Sequence, residues 1–304
     1  MDELWDCTVV GGGAAGLSAA LVLGRARRHT LLLDAGGQSN RVAEGIGGLL
    51  GQDGRPPADF YALGRDELAA YPAVEPRAET ATGAKRTDEG FGLALTDGTR
   101  VRTRTLLLAT GSDYEPPAIP GVADRWGRSV FHCPFCHGWK VRERALGVLD
   151  GAASGAERAL LLKAWSDDVT LLTGGPAQLD AADMARLDAA GIAVEQRPVA
   201  ALHGPGAELE SIEFEDGSEL RCAGLMVPAP MHGRTALADQ LGAKLADPNP
   251  VFVAALAVDA MYRTTTPGLF AAGDVAGEMP SVANAVAAGS KAAAMVVREL
   301  TQPG

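Results

Sequence analysis

The segment His132-Cys133-Pro134-Phe135-Cys136-His137 sets two thiols two residues apart, with an imidazole outside each. Such a group could serve three chemistries. A tetrahedral metal site needs four converging ligands, but His132 and His137 adjoin the cysteines directly, and neighbours on a short turn rarely aim both side chains at one ion. No second CxxC and no HxxxH completes a ligand set elsewhere in the chain, so no metal is expected. A purely structural disulfide across so small a ring removes little chain entropy. A redox pair is the leading reading. Ahead of a helix, the dipole lowers one thiol's pKa, and flanking imidazoles stabilise a thiolate or carry its proton near neutral pH. His137 and His132 are both candidate bases. Phe135 and Trp139 either line a dithiol site or pack.

Two cysteines acting together move two electrons and need a partner that does the same. The N-terminal region offers a place for one. Thr8 to Val10 is apolar and β-branched; Gly11-Gly12-Gly13-Ala14-Ala15-Gly16 follows and leads into Leu17, Ala20, Leu21 and Leu23 at helical spacing. This is a strand–turn–helix pattern in which Gly11 permits the tight turn, Gly13 lets backbone approach a pyrophosphate and Gly16 allows close packing of the helix. A second apolar strand, Leu31 to Leu33, ends in Asp34, where an acid can accept from ribose hydroxyls. Further on, Thr105 to Leu108 and Leu269 to Ala272 are strand-like runs that end in Ala109-Thr110-Gly111 and Gly273-Asp274. A small-residue helix follows the second, with Pro280 and Ser281 suited to its first turn.

These three signatures, in this order, resemble those of the two-dinucleotide-binding flavoproteins. The resemblance implies FAD, with Asp274 on its ribityl and phosphate portion. It also implies the amides of Val282 and Ala283, beside Ser281, at the flavin's pyrimidine edge. The loop Gly36 to Gly54 resembles the family's FAD-side loop, which adds Ala35, Gly37, Gln38 and Arg41 to the cofactor contacts. Gly47 stands where many relatives carry histidine.

Over essentially the whole chain, the order of FAD half, CxxC, second βαβ unit and FAD return resembles low-molecular-weight thioredoxin reductases. The implied fold is α/β, with two Rossmann-like dinucleotide-binding domains, the second inserted in the first. FAD-domain residues are expected at 1–113 and 232–304, and the central module at 114–231. In those reductases the second unit binds NADPH through GxGxxA. Here the strand Ala145 to Leu149 runs into Asp150-Gly151-Ala152-Ala153-Ser154-Gly155, so Asp150 takes the first glycine position and Ala152 the second. A carboxylate would face a pyrophosphate, and a methyl would block the close backbone approach. After Val169 to Leu172 comes Thr173-Gly174-Gly175 in place of the HRR that pairs a 2′-phosphate, so NADPH is not expected as a partner.

The run "CPFCHGW" departs from the CATCDG of thioredoxin reductases and resembles the gliotoxin- and holomycin-type dithiol oxidases. That resemblance implies oxidation of a small-molecule dithiol with oxygen as acceptor. Cys133 would exchange with substrate, Cys136 would face the flavin and His137 would replace a catalytic aspartate. A homodimer is implied too. The alternatives are a reductase fed by a ferredoxin or flavin donor and serving a thioredoxin-like protein, and a redox-sensing flavoprotein.

Composition agrees with this frame. At 304 residues the chain is long enough for two cores, and its 38 glycines suit many strand-to-helix turns. A net charge of -11 disfavours nonspecific binding to nucleic acid or an anionic membrane. No apolar run of 18 residues and no signal-like N-terminus is visible, so a cytoplasmic location is expected. Cys7 and Cys222 read as buried apolar residues, and Lys140 to Arg144 as a solvated face.

Overall fold

The computed structural model describes residues 3–302, and the chain divides into two compact units. The first comprises the residues up to Arg41, Leu49–Tyr114 and those from Pro230 on. The second comprises Val42–Gly48 and Glu115–Ala229. Segment 42–48, read as part of the FAD half, instead groups with the second unit.

The first unit is built on a sheet whose strands run in the order Val74–Arg77, Thr30–Leu33, Leu4–Val10, Arg100–Leu108, Gly90–Leu95 and Ala81–Thr87, with Leu269–Ala271 also pairing to Arg100–Leu108. The pairings among the first four, and that of Leu269–Ala271, are parallel; the two hairpin strands are antiparallel. Parallel strands covered on both faces read as continuous apolar runs, and Leu31, Leu32, Leu33, Leu106, Leu107 and Leu108 are all buried. One face is covered by the helix Ala14–Arg25 and the C-terminal helix Val282–Leu300, which meet through small residues. Gly289 is the closest point: a Cβ there would stand 1.9 Å from the Ala15 carbonyl oxygen. Leu237, Leu241 and Leu256 join the cluster on the other face.

In the second unit five parallel strands run in the order Ala193–Glu195, Val169–Leu172, Leu146–Leu149, Gly224–Met226, Val130–Phe131. A small antiparallel sheet, Val199–His203, Ser211–Phe214 and Glu219–Arg221, completes it. Both units are thus Rossmann-like α/β layers. Cys7 lies in the strand Leu4–Val10 and Cys222 just past Glu219–Arg221; both are buried, and burial pushes each thiol up to about 12. No helix among the described residues is long and apolar enough to cross a membrane.

Candidate active site

The dithiol sits at the start of the helix Pro134–Val141. Cys133 is the N-cap in extended conformation, and Pro134 takes the first helical position, where its missing N–H costs nothing. Pro134, Gly138 and Val141 form the buried face; a Cβ on Gly138 would lie 2.8 Å from the Trp165 ring, so the helix rests directly on that indole. Cys133 Sγ and Cys136 Sγ are 2.6 Å apart. The hydrogen bond shared between them holds the Cys133 thiol below its ordinary pKa, against the opposing effect of burial, and the first-turn amides of Cys136 and Phe135 act in the same direction. The same pairing, together with burial, pushes Cys136 up. The two thiols are thus shifted in opposite directions, Cys133 down and Cys136 up.

The two histidines flank the pair in different ways. His137 Nδ1 lies 3.2 Å from the Cys133 carbonyl oxygen and Nε2 3.0 Å from that of Gly127, and its ring stacks on Phe131 at 5.4 Å. A neutral imidazole has one N–H to donate, so only the imidazolium satisfies both carbonyls. Burial opposes that charge and leaves the pKa below the ordinary value, although both carbonyls pull it upward. His132, immediately after Val130–Phe131, has its ring 5.8 Å from Trp126. Burial, His137 and Arg158 bring its pKa down to about 4, so it is neutral at pH 7.

Segment 42–48 lies against this helix. A Cβ on Gly47 would stand 2.9 Å from the Cys136 carbonyl oxygen and 3.1 Å from its Cα, which leaves no room for a larger residue without a shift. Glu44 pairs with Arg128 at 2.7 Å and with Lys140 at 3.4 Å, and Arg128 Nε donates to the Val42 carbonyl. Lys140 thus has a partner within its solvated face.

All the residues expected to hold a cofactor fall in the first unit. Gly11 has φ +113, and a Cβ there would strike the Ala109 carbonyl at 2.2 Å; Gly16 would strike Gly11 O at 1.7 Å. Gly13 is different: the nearest atom to a Cβ there is Gln38 Cγ at 3.9 Å, so this turn is an open cradle. It caps the helix Ala14–Arg25 with no side-chain acceptor, and the first amides of that helix, at Ala14, Ala15 and Gly16, have no acceptor within the helix. That fits a pyrophosphate. Asp34 accepts from the Gly36 amide at 2.8 Å and from Gln38 Nε2 at 3.2 Å, and Gln38 also donates to Gly12 O, which fixes the turn after Thr30–Leu33. Beyond it, past Ala35, Arg41 donates to Gly36 O.

Ser281 lies outside the C-terminal helix as its N-cap and accepts from the Asn284 amide at 3.1 Å; Pro280 lies one residue further out, not in the first turn. The amides of Val282 and Ala283 open the helix. Gly273, with φ +81, precedes Asp274, whose carboxylate accepts no hydrogen bond from the described residues. Burial pushes Asp274 up to about 6, and Arg234 draws it back.

Arg234 was not singled out by sequence. Its Nη1 donates to Gly37 O at 2.8 Å and to Thr110 O at 3.3 Å, and Thr110 Oγ1 returns a bond to Arg234 O, so one residue ties the Gly37 and Thr110–Gly111 turns together. Its only sequence signal was its place just after the return segment Val227 to Gly233.

The second glycine turn is filled. Asp150 is 6% exposed; it accepts from the Ala152 amide at 3.0 Å and Ser154 Oγ at 2.8 Å, and Arg158 Nε lies 3.1 Å from Oδ2. Gly155 repeats the packing of Gly16, its Cβ position 2.3 Å from the Asp150 carbonyl. The strand–turn–helix geometry is kept, while a side-chain carboxylate takes the acceptor role a dinucleotide phosphate would have. These residues do not fit a pyrophosphate.

Residues 5–289 match the pyridine nucleotide-disulphide oxidoreductase family. The chain is 33% identical to thioredoxin reductase tcpT of Claviceps purpurea, across 97% of this chain and 94% of that one. It is 30% identical to thioredoxin reductase sirT of Leptosphaeria maculans, across 95% and 92%. An oxidoreductase from Agrobacterium tumefaciens has the same fold, with a TM-score of 0.93, 35% identity, and coverage of 99% of this chain and 100% of that one. With a thioredoxin reductase-like fold, a family match over nearly its whole length and relatives of this identity, the chain belongs to the pyridine nucleotide-disulphide oxidoreductases and is an enzyme of that family.

Proposed function

We propose that this protein is an FAD-dependent dithiol oxidase that closes a disulfide in a small-molecule dithiol and passes the electrons to oxygen, without NADPH. The observation that carries this reading is the filled second turn: Asp150, held by Arg158, stands where a nicotinamide nucleotide would be gripped, while the first turn is open at Gly13 and the Cys133–Cys136 pair is intact.

In the oxidised enzyme Cys133 and Cys136 form the disulfide. A substrate thiolate attacks Cys133 Sγ, and Cys136 leaves as thiolate. His137 or His132 is the candidate to take the substrate's proton; His137, held between Gly127 O and Cys133 O, also positions the turn. The second substrate thiol displaces Cys133, which releases the substrate disulfide and leaves the enzyme with two thiols. When bound, FAD supplies the two-electron acceptor that re-forms the Cys133–Cys136 disulfide and delivers those electrons to oxygen as hydrogen peroxide. Gly11, Gly13 and Gly16 with Asp34, Gln38, Thr110 and Asp274 are the residues assigned to hold it.

The test is oxygen uptake with a generic dithiol. Wild-type holoenzyme is expected to consume one oxygen per disulfide formed. Cys133→Ser and Cys136→Ser are expected to lose turnover while remaining yellow. A serine variant that still turns over would remove the pair from the mechanism, and exchange confined to a thioredoxin-like protein would shift the reading to a disulfide reductase.

A further inference from the structure

The two aromatics beside the dithiol are largely exposed. Phe135 and Trp139 are each 69% exposed, although both sit on the helix that carries the cysteines and fall one turn apart, on one face. Removing aromatic rings from water is ordinarily favourable, so two rings left exposed side by side need a reason. Behind them, the Phe135 ring meets Trp165 edge-on at 5.3 Å, and Trp165 is itself pinned under Gly138. Ahead of them, the Arg142 guanidinium lies 3.9 Å over the Trp139 ring and donates to the Trp139 carbonyl. Arg142 makes no ion pair with any described carboxylate, in a chain of net charge -11. Phe135 and Trp139 on the helix that carries Cys136, and Arg142 just past its end, thus form a stripe of two rings ending in a cation with no ion-pair partner among the described residues.

We propose that this stripe is the specificity subsite of the dithiol oxidation, and that it takes a substrate with a planar ring near its thiols and an anionic group, such as a carboxylate, about one helical turn away. This rests on the oxidase reading and names its substrate class. Size argues for a small molecule over a protein. Two aromatic side chains present on the order of 300 Å² of apolar surface. A stable protein interface takes about 800 Å² from each partner. The ring stacks on Trp139 or Phe135, and Arg142, already planar against Trp139, pairs with the anionic group.

The test compares three dithiols on the holoenzyme: dithiothreitol, benzene-1,2-dimethanethiol and the ring-carboxylated form of the latter. Wild type is expected to favour the aromatic dithiol over dithiothreitol in kcat/KM, and the carboxylated one further. Trp139→Ala should reduce the ring preference about tenfold, and Arg142→Gln should reduce the carboxylate preference about fivefold. No ring preference in wild type, or an equal fall for all three dithiols in Trp139→Ala, would overturn the proposal; the second result would mark a purely structural residue. A second measurement uses 2-naphthoate, which has no thiol. It is expected to quench tryptophan fluorescence in wild type at millimolar concentration and to lose most of that quenching in Trp139→Phe. If no dithiol is oxidised at all, the oxidase reading fails, and the naphthoate titration still decides the subsite: absence of quenching, or equal quenching in both proteins, rejects it.

Discussion

Cys133 Sγ stands 2.6 Å from Cys136 Sγ at a helix N-terminus, and the two thiols are driven in opposite directions: Cys133 toward thiolate, Cys136 toward thiol. The polarity matters because an exchanging sulfur must attack and leave at different moments. Replacing Cys136 by alanine removes the donor that holds Cys133 down. The pH midpoint for alkylation of Cys133 in the reduced protein is expected below that of an ordinary thiol for the wild type and higher for Cys136→Ala. Equal midpoints would assign the effect to the helix amides alone.

Asp274 predicts two effects of opposite sign. Its pKa in the flavin-free protein is raised to about 6, so protonation of Asp274 contributes stability that is fully present below the ordinary carboxyl value and is lost as pH rises through about 6. Asp274→Asn should therefore stabilise the flavin-free protein at pH 7 by roughly 1–2 kcal/mol, allowing for screening of a half-buried group. An ionised carboxylate is the stronger acceptor for ribityl hydroxyls, so wild-type affinity for FAD should fall as pH drops below 6. The asparagine variant should bind FAD more weakly, with little pH dependence. Thermal melts of apoprotein and flavin titrations at pH 5, 6 and 7 check both.

The glycines of the first turn separate folding from binding. Gly13→Ala places its Cβ in ordinary contact with Gln38 and should leave the flavin-free fold within about 0.5 kcal/mol of wild type while weakening FAD binding. Gly16→Ala forces a methyl to within 1.7 Å of Gly11 O and should lower stability before any ligand is considered. Circular dichroism melts and flavin retention distinguish the two.

Much of this was legible in the sequence because the physics is local. A strand, a glycine where a Cβ would strike Ala109 and a helix of small residues announce their turn within a dozen positions, and Asp150 was visible as an acid in a glycine's place. What escaped depends on residues far apart. Nothing near residues 42–48 marks them as packing on the dithiol helix, and the reason for glycine at 47 appears only with Cys136 beside it. Arg234 meets Thr110 across 124 positions. The exposure of Phe135 and Trp139 could not be read from their types, which are as common in cores.

The Asp150 cluster carries its own prediction. Arg158→Ala would leave a nearly buried carboxylate uncompensated and should cost roughly 1–3 kcal/mol, less than a fully buried pair because Arg158 keeps 22% exposure. Asp150→Asn in the same background should recover most of that loss, measured by urea denaturation. A failure to recover would mean that Arg158 acts through packing and not through charge.

The most direct measurement is an anaerobic titration of the purified yellow holoenzyme with NADPH, NADH and a dithiol, following the visible flavin absorption. Bleaching by the dithiol, with no rapid bleaching by either nicotinamide at micromolar concentration, is the result expected if Asp150 has closed the second turn. Rapid bleaching by NADPH would contradict it and return this enzyme to the nicotinamide-driven disulfide reductases.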